Sequence, residues 1–154
     1  MSRSIEDRLS ELKIDLPTPP TPAANYLPFV QDGKTLYVSG QLPILDGTLL
    51  TGKLGHDLTV DEGAAAARAC AINLIAQLRI ACGGSFTGFD RVVKLTAFVN
   101  STPDFTEQPK VVNGASDLMA QVFGAAGKHA RSAVSAPALP FGVAVEIEGI
   151  FALK

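Results

Sequence analysis

Two glutamates and one arginine are placed where they could do chemistry. Glu146 and Glu148 stand two apart in the apolar run from Gly142 to Leu153, where alternation puts both on one face of a strand. Acids in the middle of such a strand are costly unless they are paired or used. Arg131 opens the preceding β-type run, Arg131-Ser-Ala-Val-Ser135. If the two runs pair through the Ala136–Phe141 connection, Arg131 comes within reach of Glu146. The plainest product of that pairing is an ion pair. The chemical one is a small site holding one fixed cation and one carboxylate. A guanidinium grips a carboxylate through two parallel hydrogen bonds, and a neighbouring Glu can hold or deprotonate a water. Together they suit hydrolysis of a small carboxylated electrophile.

Other chemistries find less support. His56 and His129 lack Asp, Glu or Cys at metal-ligand spacing and read as loop or capping residues. No Cys–His or Ser–His–Asp arrangement is suggested by spacing, and the Gly-rich stretches form neither a phosphate loop nor a dinucleotide fingerprint. Cys70 and Cys82 share one helical segment, roughly 18 Å apart along its axis. That is too far for a disulfide, so both read as reduced core thiols in a cytoplasmic protein. The formal net charge is -2 and Lys and Arg are scattered, so the basic stripe that binds nucleic acid is missing. The polar, acid-bearing N-terminus does not read as a signal peptide, and no stretch reads as long and continuous enough to span a membrane.

The elements that would position these residues follow from caps, breakers and periodicity. Ser4 to Lys13 predicts a short helix capped by Ser4, and the Pro-rich Leu16–Pro22 must be an extended connector. Residues 1–23 thus form a helix and connector ahead of a domain at 24–154. Tyr26 to Val38 predicts a hairpin about Asp32-Gly33, with Ser39-Gly40-Gln41 closing its second strand. Residues 44–55 are expected to be loop. Thr59-Val-Asp-Glu62 matches a capping box, opening the longest helix, which Gly83-Gly84 stops. Ala67, Ala71, Leu74, Leu78 and Ala81 share one face of it. Arg91 to Asn100 alternates as a strand, with Val93, Leu95, Ala97 and Val99 on one side. Phe105 to Phe123 predicts a second helix, with Pro109 in its first turn or splitting it.

The order after the N-terminal helix is β-β-α-β-α-β-β. It implies an α+β fold: one mixed sheet with both helices on the same face. The opposite face still carries Phe98 and Ile150, and mean hydropathy is slightly positive at +0.24. That face is expected to be buried between subunits.

Three segments carry a resemblance to a known family. Pro28-Phe-Val-Gln31 with Leu36-Tyr-Val-Ser-Gly-Gln-Leu-Pro43 resembles the GPYxQ and SGQxP segments of the Rid (YjgF, L-PSP, reactive-intermediate deaminase) family. His129-Ala-Arg-Ser-Ala-Val134 resembles its PARxxV segment, and Leu139-Pro to Val145-Glu-Ile-Glu148 its LPxxxxVEIE ending. The match runs in order from about Asn25 to Leu153. The resemblance implies the chorismate-mutase-like fold and a homotrimer whose sheets line a central barrel, with ligand clefts between adjacent subunits. It implies hydrolysis of reactive enamines and imines of short 2-imino acids to 2-oxo acids and ammonia, with no metal or organic cofactor. Arg131 matches the arginine that grips the substrate carboxylate, and Glu146 the glutamate thought to position the attacking water. Ser39 and Gly40 match cleft-wall positions. Phe29 stands where the family carries tyrosine, and Ala133 where it often carries cysteine. The cleft asparagine is matched by Asn113, or by Ser116 if the helix carries no insertion. Two alternatives accompany this reading: a non-catalytic trimer that binds a small carboxylate metabolite, and an endoribonuclease.

Overall fold

Side-chain caps set where the helices begin. The computed structural model describes residues 3–19, 21–22 and 24–154. The Ser4 hydroxyl accepts from the Asp7 amide while the Asp7 carboxylate accepts from the Ser4 amide, opening α1 (Ile5–Glu11). Thr59 and Glu62 close the same reciprocal box and open α2 (Val60–Ala81). α1 ends before the expected Lys13, which adopts a left-handed φ of 57°. α3 (Gln108–Phe123) starts three residues later than Phe105, because Pro109 fits only within its first turn.

Among the described residues seven strands accompany these helices: β1 (Phe29–Asp32), β2 (Thr35–Gln41), β3 (Ile44–Leu45), β4 (Thr48–Leu49), β5 (Phe89–Asn100), β6 (Ala130–Ala136) and β7 (Val145–Leu153). The β3–β4 hairpin corrects the expected loop at 44–55. It turns on Asp46-Gly47, whose φ values of 51° and 78° are those a two-residue primed turn demands.

The main sheet runs β1-β2-β7-β5-β6, with β5 and β6 parallel and every other neighbour antiparallel. This overturns the expected pairing of β6 with β7. α3 carries the chain from β5 over to a parallel β6 at the sheet edge, as a crossover helix must. β7 then enters on the other side of β5, between β5 and β2.

Both α2 and α3 cover one face of the sheet, as the element order predicts, giving the α+β architecture of the chorismate-mutase-like fold. Ala67, Ala71, Leu74 and Leu78 of α2 are fully buried there, with Leu36, Leu95, Ile147 and Phe151 from the strands. By length and composition α2 could span a membrane, contrary to the sequence reading. Its apolar residues are nonetheless occupied inside this core. Leu9 and Ile14, from the N-terminal segment, join the same core, and Arg8 donates to the Val122 carbonyl at 3.3 Å.

One irregularity shifts a face. The β5–β7 register slips between Val92 and Lys94, so Val92 is buried and Val93, expected inside, is 39% exposed. Beyond the slip Leu95, Ala97 and Val99 point to the helices as predicted. On the opposite face no second layer of described residues covers Val30, Tyr37 and Val134, which are 51%, 48% and 46% exposed, and Phe98 and Ile150 are half-buried.

Candidate functional site

Sheet order divides the expected site residues into two groups. Arg131 pairs with Leu95, which faces the helices, so its side chain rises on the α3 side of the edge strand β6. There Nη1 donates to Ser116 Oγ at 3.1 Å and Nη2 to the Pro109 carbonyl at 3.0 Å. Two of the five guanidinium N–H groups are thus used, and three remain for a ligand. Neither ion pair found among the described residues involves Arg131. Its charge is held in place by neutral partners and has no ion-pair partner among the described residues.

Ser116 is itself fixed. His129 Nδ1 lies 2.6 Å from the Gly127 carbonyl, and Nε2 lies 2.9 Å from Ser116 Oγ. A carbonyl only accepts, so Nδ1 carries a proton; in the tautomer with its only proton there, Nε2 accepts the Ser116 hydroxyl. Ser116 Oγ can then accept from Arg131 without conflict. The order Arg131 to Ser116 to His129 to Gly127 is a complete donor chain. It binds the start of β6 to the middle of α3. His129, read from sequence as a loop or capping residue, holds this chain together.

A shallow hollow opens beside this chain, lined by Asn113, Ser116, Asp117, His129 and Arg131 among others. Asn113 sits on its rim, exposed, and does not hold the arginine. Ser116, three residues on and therefore on the same helix face, does. Ala133 follows Arg131 on the same side of β6, packed against the core. This end of the sheet thus unites Asn113, Ser116, Arg131 and Ala133.

Glu146 belongs to the other group. It pairs with Phe98 on the face away from the helices. Two strands and three register positions separate it from Arg131, roughly 14 Å between backbones, with the side chains on opposite faces. The expected contact between the two does not form within one chain. Burial, reinforced by the charge of Glu148, pushes the Glu146 carboxyl above the usual glutamate range.

Gly40 lies against Glu146: a Cβ added at Gly40 would stand 3.0 Å from Glu146 Cδ. A side chain there would displace the carboxylate, so the absent Cβ is what lets strand and acid meet. Ser39 donates from Oγ to the Leu27 carbonyl at 2.6 Å, fixing the approach to this spot. Phe29 opens β1, opposite Val38, and packs on the core rather than on Arg131. β1 and β6 are the two outer strands of the sheet, so Phe29 and Arg131 sit roughly 19 Å apart across it. Glu146, Gly40 and Ser39 form the second group, with Phe29 on the strand beside them.

A chain with this fold and these two groups belongs to the YjgF/Rid/L-PSP family. The family model described as YjgF/chorismate-mutase-like, putative endoribonuclease matches residues 6–152. Among individual relatives, the protein TCP17 of Trypanosoma cruzi is 51% identical over 99% of this chain and 96% of its own length. Atu1372 of Agrobacterium tumefaciens, a protein of unknown function, has a similar crystal structure at 47% identity and a TM-score of 0.91, covering 97% and 92% of the two chains. A Shewanella oneidensis protein described as a putative endoribonuclease superposes with a TM-score of 0.94 at 36% identity, over 98% and 100%.

Proposed function

We propose that this protein hydrolyses small 2-imino acids, and their enamine tautomers, to 2-oxo acids and ammonia. The observation that carries the reading is Arg131: a guanidinium oriented by two neutral partners, with no ion-pair partner among the described residues, at the edge of an open hollow. Such a group is built to take a carboxylate.

The split between the two groups supports an assembly in which neighbouring copies complete each other's sites. The uncovered face with Val30, Tyr37 and Val134 is apolar enough to be an interface, and a homotrimer would bring one subunit's Arg131 toward the next subunit's Glu146. In that cleft Arg131 fixes the substrate carboxylate. Glu146 takes a proton from water as its oxygen bonds to the iminium carbon, and returns it to the nitrogen of the carbinolamine. As the C–N bond breaks and ammonia leaves, the carbinolamine hydroxyl gives its proton to Glu146 and becomes the 2-oxo group. Iminium carbons are reactive toward water, so orientation and modest acid–base help suffice. Phe29, lacking a hydroxyl, supplies only shape.

The test generates 2-iminobutyrate in situ with an amino-acid oxidase and follows its decay. Wild type should accelerate it and Arg131→Ala should not. Carboxylate binding without accelerated decay would instead support the second reading, a metabolite-binding trimer, for which the Arg131 group alone suffices. Endoribonuclease activity, the description given to several relatives, finds no extended basic surface in a chain of net charge -2.

A further inference from the structure

Beneath the β3–β4 hairpin lies a hollow of about 260 Å³ that neither group of site residues explains. Leu42, Ile44, Leu49 and Phe141 are among its walls, and no Asp, Glu, Lys, Arg or His lines it. Two carboxamides one helical turn apart on α2, Asn73 and Gln77, form its polar floor, only 6% and 4% exposed.

The two amides differ in how they are used. Asn73 Nδ2 donates to the Leu42 carbonyl at 3.0 Å and the Ile44 carbonyl at 3.3 Å, tying the hairpin's entry to the helix. Its carbonyl oxygen is left over. Gln77 makes no side-chain hydrogen bond with any described residue, and it lines the hollow. An amide edge that reaches the hollow is paired by water when the site is empty, and a ligand offering one donor and one acceptor can replace that water. Phe141 adds a second oddity at the rim. It is 69% exposed and held at a φ of 57°, a left-handed conformation unfavourable for so bulky a residue. Apolar walls with a few convergent polar atoms are what a small-molecule pocket presents.

We infer that this hollow is a second binding site, for a compact neutral molecule that presents an amide-like edge, one donor beside one acceptor, to the carboxamide of Gln77. The uncharged lining selects against carboxylates, so the site differs in kind from the one built on Arg131. It does not rest on the deaminase reading. It does touch that site's neighbourhood, because Gly40 lines the hollow and backs onto Glu146.

The experiment uses benzamide, with benzoate and toluene as same-sized controls that lack the neutral amide, titrated into the full chain and followed by amide NMR shifts. Repeating it on Arg131→Ala silences any carboxylate site. Benzamide should shift the amides of Leu42 and Ile44 in both proteins at millimolar concentration, while benzoate leaves those signals in place. Gln77→Leu should weaken benzamide about tenfold, the factor expected for one lost hydrogen bond of about 1.4 kcal/mol. The leucine removes an unpaired polar group, so it should fold at least as well as wild type, which its thermal midpoint checks. The inference is overturned if benzamide leaves these signals unmoved, if toluene matches it, or if Gln77→Leu binds it unchanged.

Discussion

Arg131 grips and Ser116 aims. Replacing Ser116 by alanine leaves the guanidinium anchored only at the Pro109 carbonyl and releases His129 Nε2. Affinity for a 2-oxo acid should fall about tenfold, within the range of one charge-assisted hydrogen bond at a part-exposed site. KM should rise with kcat nearly unchanged, and Ser116→Asn should recover much of the loss. Unchanged binding by calorimetry in Ser116→Ala would remove Ser116 from the site. Glu146 makes a prediction in pH. Its folded carboxyl keeps its proton to higher pH than an unfolded one, so the native state binds the extra proton between the two values. Stability is therefore full below the ordinary glutamate value of about 4.3 and lost as pH rises through the folded one. Glu146→Gln should then raise the thermal midpoint near neutrality and leave it unchanged in acid. If the midpoint instead drops near neutrality, the acid is held charged by a cation in the assembly.

Between elements, the tightest constraint is where α2 and α3 cross. A Cβ on Gly114 would lie 2.0 Å from the Ala64 carbonyl oxygen, inside any real contact, and that oxygen belongs to helix backbone that cannot rotate away. Gly114→Ala must push the helices apart. It should lose about 1–3 kcal/mol, as overpacked cores do. The thermal midpoint then drops by roughly 2–4 °C per kcal/mol in a domain of this size. Because α3 carries Ser116 and the Pro109 carbonyl, the same variant should also weaken carboxylate binding. A Gly114→Ala protein as stable as wild type in a urea titration would show that the crossing is looser than its geometry.

For the whole molecule, the decisive feature is that Arg131 and Glu146 lie on opposite faces of one sheet. If neighbouring subunits complete each site, Arg131→Ala and Glu146→Gln proteins should each be inactive alone and recover activity when unfolded and refolded together. In randomly mixed trimers about a quarter of clefts would carry both native residues. Recovery to near that fraction supports the shared cleft; no recovery means that the two residues do not serve a common site.

Caps, turn residues and periodicity determined much of this protein without help from the fold. Ser4 and Thr59 marked helix starts because capping is a local hydrogen-bonding matter. Asp32-Gly33 marked a hairpin because the turn conformation is a property of the dipeptide. The Asp46-Gly47 hairpin carried the same signal and was legible, although its two-residue strands are too short to show alternation. Arg131 and Glu146 stood out for their residue types and for the motif segments around them. Partnership between strands was decided only by the tertiary structure. A parallel β6 beyond β5 and a β7 inserted beside β2 depend on how α3 packs across the sheet, and no local preference encodes that. The hold of Ser116 and His129 on Arg131 was equally hidden, since it joins a helix, a loop and a strand that meet only once the chain has folded.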